Sequence, residues 1–201
     1  MFYTETEIKF HIAELDKLAA QLEALGATLT SPRTHEMNLR FDTPVGTLIS
    51  QSCVLRLRRD AESRLTFKGP AHKEDGVVQR EEIEFSVSDF DATQLFLERL
   101  GYQVVAIYEK YRTSYSLGES HFDLDEMPYG NFLEIEGKNI ESIRLVAEEL
   151  SLQWDAAVRM GYLTIFGQLR AKELTSAPEL TFDAFLSESV DLALIGISSA
   201  N

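Results

Sequence analysis

The chain has 201 residues, 44% hydrophobic and 26% charged, a composition that gives one globular domain with a sizeable core. Nineteen Lys and Arg against 33 Asp and Glu leave a formal net charge of −14, which excludes a general nucleic-acid coat or a basic membrane-surface binder, since both need a positive footprint. The single cysteine, Cys53, excludes an internal disulfide and a multi-cysteine zinc site. No basic-then-apolar leader opens the chain and no apolar run nears the ~20 residues of a membrane span, so the expectation is a soluble cytoplasmic protein.

Residues 3–12 alternate strictly, with Glu5, Glu7 and Lys9 on one parity and Thr6, Ile8, Phe10 and Ile12 on the other, which predicts a strand with two unlike faces. The period then lengthens: Leu15, Leu18, Ala19, Leu22 and Leu25 mark a helix over 14–25, stopped by Gly26. Further strands are expected at 36–42, 53–59, 63–69, 78–87, 103–116, 120–126 and 131–137, and helices at 90–100, 140–150 and 155–171. Turn signals at Pro44-Val45-Gly46, Gly69-Pro70, Asp75-Gly76 and Pro128-Tyr129-Gly130 separate them. Residues 7–12 match 82–87 at an offset of 75, and Leu25-Gly26 matches Leu100-Gly101, so a strand–helix–strand unit is expected twice. Residues 1–172 read as one domain and 173–201 as an irregular C-terminal tail.

The charged parity of each strand is denser than solvation needs. The strands offer Glu5, Glu7 and Lys9; Arg40 and Asp42; Arg56 and Arg58; Arg64 and Lys68; Arg80, Glu82 and Glu84; Lys110 and Arg112; Asp123 and Asp125; Glu134 and Glu136. Neighbouring strands lie ~4.8 Å apart, so such faces crowd unless both signs and a ligand compensate. If the sheet closes on itself, the charged faces line a lumen and the apolar faces pack against the helices, the inverse of a small barrel filled with apolar side chains. Lys9, Arg40, Arg56, Arg58, Lys68, Arg80, Lys110 and Arg112 suit a polyanion with several phosphates. The carboxylates suit a hard divalent cation that takes oxygen ligands.

With the Glu5-Thr6-Glu7-Ile8-Lys9 signature, Leu55-Arg56-Leu57-Arg58, Thr66-Phe67-Lys68-Gly69-Pro70, Arg80-Glu81-Glu82-Ile83-Glu84, Glu109-Lys110-Tyr111-Arg112 and Phe132-Leu133-Glu134-Ile135-Glu136, the chain resembles the CYTH superfamily of triphosphate tunnel metalloenzymes over roughly residues 3–170. That superfamily includes class IV adenylyl cyclases, thiamine triphosphatases and inorganic triphosphatases, and the resemblance implies an α+β fold: a closed eight-stranded antiparallel β tunnel with a charged lumen and helices packed outside. The resemblance implies Mg²⁺ or Mn²⁺ on Glu5, Glu7, Asp123, Asp125, Glu134 and Glu136, and triphosphate on Lys9, Arg56, Arg58, Lys68, Lys110 and Arg112, with Arg40 and Arg80 added by their parity. Glu5, Glu7, Lys9 and Lys68 are the expected catalytic residues; Glu82 and Glu84 either ligate metal or hold basic neighbours. The implied activity is metal-dependent hydrolysis of inorganic triphosphate, ATP or thiamine triphosphate. Adenylyl cyclisation and non-catalytic nucleotide binding are the alternatives. Hydrolysis is preferred because it demands least. Nucleic acid and membranes are not expected partners, and a homodimer is compatible with the reading.

Other side chains receive plainer readings. His11, His35, His72 and His121 lack metal-ligand spacing, and Cys53 lacks a base partner. Tyr108, Tyr111, Tyr115 and Trp154 read as packing residues.

Overall fold

The computed structural model describes residues 2–201, with 2–4 and 73 described by backbone alone. The chain runs β1 (Phe2–His11), α1 (Leu15–Ala24), β2 (Thr28–Asp42), the one-turn α2 (Thr47–Ser50), β3 (Val54–Arg59), β4 (Ser63–Lys68), β5 (His72–Glu74) and β6 (Val77–Val87). It continues through α3 (Phe90–Arg99), β7 (Gln103–Leu117), β8 (Ser120–Met127), β9 (Gly130–Glu136), α4 (Ile140–Glu149) and α5 (Tyr162–Ala171). Strand order is β1-β9-β8-β7-β2-β3-β4-β6, and β6 pairs back onto β1 from Phe2↔Ile83 to Glu7↔Val78. Eight antiparallel strands therefore close in a ring, and the short β5 pairs only with the start of β6. Closure leaves the eight ring strands without an edge strand, and only the three-residue β5 has an unpaired side among the described residues.

Alternation decides which face looks inward. Ile8 and Phe10 of β1, with Ile12 just past its end, turn outward and pack with Leu18 and Leu22 of α1 and Ile143 and Ala147 of α4. Phe90 and Leu97 of α3 cover Leu39, Phe41 and Leu57 of β2 and β3. Burying such a side chain is worth about 1.5–3 kcal/mol, so the apolar parity fixes the outside and the charged parity must face the lumen.

The expected internal repeat is a repeat of structure. β1-α1-β2 recurs as β6-α3-β7; β1 pairs with β6 and β2 with β7. Gly26 and Gly101 end the two helices at φ +88° and +92°, the left-handed conformation that a side chain resists.

Two expectations are corrected, and two short elements are added. β2 starts at Thr28, not 36, because it carries on past Pro32 through register shifts between Leu29 and Thr34, which hide its alternation. The predicted helix over 155–171 is a 3₁₀ turn at Trp154–Ala156 and then α5 from Tyr162, because Ala157 and Val158 are drawn into backbone pairing with β1. Strand β5 and the one-turn α2 were not expected.

Residues 173–201 hold 3₁₀ turns at Asp183–Phe185 and Leu192–Ile195, and bury Leu180, Phe185, Leu192 and Ile197 against α5 and Phe132. Their position follows from strand length. β2 and β7 run 15 residues each, but β8 and β9 only 8 and 7. Beyond the β8–β9 hairpin, β7 pairs instead with Leu180, whose carbonyl accepts from the Glu109 N–H at 2.9 Å. Past the start of β6, β1 pairs with Ala157 and Val158, the Val158 N–H donating to the Lys9 carbonyl at 2.7 Å. The C-terminal segment thus completes the wall where strands run out.

Candidate active site

The ring encloses a cavity of about 540 Å³. Every expected site residue except Asp125 lines it: Glu5, Glu7 and Lys9 from β1, Arg40 from β2, Arg56 and Arg58 from β3, Lys68 from β4, Arg80 from β6, Lys110 and Arg112 from β7, Asp123 from β8, and Glu134 and Glu136 from β9. Glu82 and Glu84 line it as well.

Register builds the site in rows. Glu7 stands opposite Glu136 on β9, which stands opposite His121 on β8. One step along, Lys9 faces Glu134 and Glu134 faces Asp123. On the other side of the ring Arg40 faces Arg56 across β2 and β3, and Arg56 faces Thr66 on β4.

Most of the acidic side chains are held by cations. Lys68 Nζ lies 2.8 Å from Glu5 and 2.7 Å from Glu82, all three buried. Arg80 reaches Glu5 at 3.2 Å and Glu7 at 3.4 Å. Lys9 sits 3.0 Å from Glu134, and Arg112 bridges Asp123, Asp125 and Glu134 at 2.5 Å each. Burial raises the cost of the Glu134 charge, but Lys9, Arg112 and Lys110 outweigh it and hold its carboxyl well below the usual range. Glu84, which takes the Thr66 hydroxyl at 2.7 Å and contacts Arg56 and Arg58, is likewise held low against burial by Arg58, Thr66 and Arg56.

Asp125 is placed differently. It is fully buried, and its two oxygens accept from Lys110 at 2.9 Å, Arg112 at 2.6 and 2.5 Å, and the Tyr162 hydroxyl at 2.7 Å. Its lone pairs are spent behind the wall, bracing two lumen cations.

Two groups lack such partners. Among the described residues, Glu136 forms no ion pair and no side-chain hydrogen bond. Burial, with Glu5 and Glu7 pressing the same way, pushes its carboxyl up to about 7. Glu7 is raised too, by burial and then by Glu134 and Glu5. Like charges directly opposite across a ladder are unfavourable, so this corner of the lumen is short of positive charge. The second group is Arg40, which also forms no ion pair or side-chain hydrogen bond among the described residues. Burial lowers its guanidinium, and with Arg56 and Arg80 adding to that it outweighs the opposing pull of Tyr108 and Asp42. Its corner is short of negative charge.

These two deficits fit a divalent cation and an anion. All-carboxylate oxygen donors suit Mg²⁺ or Mn²⁺. Among the described residues no three ligating side chains converge into a ready-made set, because Lys68 and Arg80 occupy Glu5, Glu82 and part of Glu7.

Three lumen residues were not anticipated as such. Tyr108 shares the inward parity of Lys110 and Arg112, a signal that its aromatic character masked. Burial raises its phenol, yet Arg56, Lys110 and Arg40 outweigh that and hold it below the usual tyrosine range. Arg159 and Tyr162 reach the cavity from outside the strands, where no parity could announce them. Burial, Asp125 and Glu134 push the Tyr162 phenol well above its usual range, so its hydroxyl stays a donor.

Comparison with known proteins agrees with this architecture. The family described as "CYTH domain" matches residues 3–154. Adenylate cyclase CyaB of Aeromonas hydrophila is 26% identical over 184 residues, covering 90% of this chain and 92% of that protein. An X-ray structure from Vibrio parahaemolyticus superposes with a TM-score of 0.73 at 22% identity, covering 81% of this chain and 97% of that one. HpAC1 from Hippeastrum, described with a dominant triphosphatase activity, gives 0.54 at 20% identity, covering 94% and 98%. The two structural likenesses carry the fold.

Proposed function

The chain belongs to the CYTH family, and on that footing we propose that it is a divalent-metal-dependent phosphohydrolase that cleaves a phosphoanhydride of an inorganic or organic triphosphate inside the tunnel. The observation that carries this reading is the facing pair of Arg40 and Arg56, with the Arg40 Nε buried and without a hydrogen-bond partner and Arg40 in no direct ion pair among the described residues. A largely desolvated guanidinium without a direct ion pair is costly, and a ligand phosphate supplies the charge it lacks.

Lys9, Arg56, Arg58, Lys68, Arg80, Lys110 and Arg112 complete the anion's surroundings, the arginines offering guanidinium forks for bidentate phosphate contact and the lysines compact point charges. Glu7 and Glu136, with Glu5, Asp123 and Glu134 beside them, would hold Mg²⁺ or Mn²⁺. A bound divalent cation supplies neutralisation of phosphate oxygens and a lowered pKa for attacking water. The chain's own contribution is position and charge. Phosphoryl transfer asks for little covalent chemistry, so cations fixed by carboxylates before substrate arrives stabilise charge on the transferred and leaving phosphates without reorganising. Lys68, held between Glu5 and Glu82, and Lys9, held by Glu134, are fixed in this way. Water is the nucleophile, the P–O bond to the leaving phosphate breaks, and one proton of the water is released.

The Aeromonas relative's name favours a second reading, adenylyl cyclisation, in which a ribose hydroxyl replaces water and pyrophosphate leaves. One assay separates the two. Purified protein with Mg²⁺ or Mn²⁺ is offered inorganic triphosphate, ATP and thiamine triphosphate, and phosphate and cyclic AMP are measured. Phosphate as the main product, lost in Glu7→Gln, is the expected result. Cyclic AMP as the main product overturns hydrolysis, and binding without any product leaves only a nucleotide or polyphosphate binder.

A further inference from the structure

Tyr162 is the first residue of α5, lies outside the span matched by the family, and is 9% exposed. Its side chain meets three parts of the cation array. The hydroxyl donates to Asp125 at 2.7 Å, and Asp125 in turn holds Lys110 and Arg112. The ring face lies 4.0 Å from the Lys9 ammonium and 5.6 Å from that of Lys110. The residue is itself fixed: its carbonyl accepts from the Tyr129 hydroxyl at 2.9 Å, and its ring stands edge-on to Phe132 at 5.3 Å.

The position of this side chain follows from the wall. β8 and β9 are too short to enclose this part of the tunnel, and the segment after Val158 passes over the gap. Gly161 gives α5 a start with no side-chain cap, and the first turn of the helix then lines the cavity. One aromatic residue there touches Lys9 directly and Lys110 and Arg112 through Asp125.

We infer that Tyr162 is a positioning residue for triphosphate binding, setting the Lys9 ammonium by its ring and the Lys110–Arg112 pair through its hydroxyl on Asp125. This rests on the reading of the tunnel as a triphosphate site. Two contacts of different kind allow two graded variants. Tyr162→Phe keeps the ring under Lys9 and removes only the hydroxyl. Tyr162→Leu keeps apolar volume at the start of α5 and removes both.

The test is calorimetric titration of inorganic triphosphate into each protein in metal-free buffer, with KM and kcat for triphosphate hydrolysis in Mg²⁺ and a thermal melt of each variant. Loss of a hydrogen bond to a buried charge predicts about tenfold weaker triphosphate binding for Tyr162→Phe. Loss of the cation–π contact as well predicts about a further threefold to tenfold for Tyr162→Leu. KM is expected to carry most of both changes. A folded Tyr162→Phe protein with a wild-type dissociation constant and KM, against a wild type that binds triphosphate, overturns this inference alone. A wild type that neither binds nor hydrolyses triphosphate overturns the functional reading and this inference with it. Should Tyr162→Leu melt before it can be assayed, the Tyr162→Phe result decides.

Discussion

Arg40 faces Arg56 across the β2–β3 ladder and, unlike Arg56 with Glu84, makes no direct ion pair among the described residues, so it is held in place by the fold rather than by its own energetics. Removing one member relieves repulsion and desolvation in the empty protein while depriving the ligand of a contact. Arg40→Met is therefore expected to raise the thermal midpoint and weaken triphosphate by about tenfold or more, opposite signs that a merely structural arginine would not produce. Melting curves and titration on the same preparation check it, and a lower midpoint would remove the claim. The acidic corner makes a pH prediction. The folded carboxyl of Glu136 is pushed up to about 7 from an ordinary 4.5, so the fold takes up a proton across that window. Glu7 is shifted in the same direction. Metal-free protein thus gains stability as pH falls through about 7 and loses it as pH rises. Glu36 behaves oppositely. Burial opposes its charge, but Lys110, Arg112 and Arg58 hold it to about 2, so its contribution is present above 4.5 and lost only as pH falls toward 2. In EDTA the midpoint is expected to be higher near about pH 5.5 than near about pH 8, with Glu136→Gln flattening the difference and added Mg²⁺ doing the same.

At the level of elements, strand alternation was legible because it is local: Ile8 and Phe10 must be covered, so Glu7 and Lys9 must face inward, whatever the rest of the chain does. The same parity held Tyr108 on the lumen side beside Lys110, and only its apolar ring suggested packing instead. Parity cannot tell a carboxylate facing the cavity from one spent behind it, which is why Asp125 and Asp123 read alike in sequence but differ in space. Least legible was the wall built by residues 157–180. Val158 and Leu180 join β1 and β7 through backbone bonds, which carry no side-chain pattern. Leu180 nevertheless has 0% exposure and packs among Phe132, Ile165 and Phe185. Leu180→Ala is expected to cost about 2–5 kcal/mol, as for other fully buried leucines, read as a lower urea midpoint with an unchanged slope. A loss below about 0.5 kcal/mol, the range of neutral surface changes, would mean that the segment after Lys172 rests on the tunnel without supporting it.

Across the whole molecule, charge is segregated rather than simply negative. Nine Lys and Arg and seven Asp and Glu line the cavity, leaving ten and 26 elsewhere. The lumen is slightly positive within a strongly acidic shell. An incoming triphosphate therefore meets repulsion before attraction, and a divalent cation travelling with it lessens the first without abolishing the second. Salt separates the two fields, because exposed charges are screened beyond about 8–10 Å at ordinary ionic strength while buried pairs are screened much less. For free triphosphate the association rate constant is expected to rise with added KCl, by about twofold or more between about 20 and 200 mM, the reverse of an enzyme that steers its anion by a basic face. With Mg²⁺ bound to the triphosphate the rise should shrink, since less charge crosses the shell. Stopped-flow binding at the two salt concentrations, with and without Mg²⁺, reads this directly. An association rate that falls with salt would place the cavity's nine cations in control of the approach, and would mean that the surplus acidic residues lie away from the tunnel mouth.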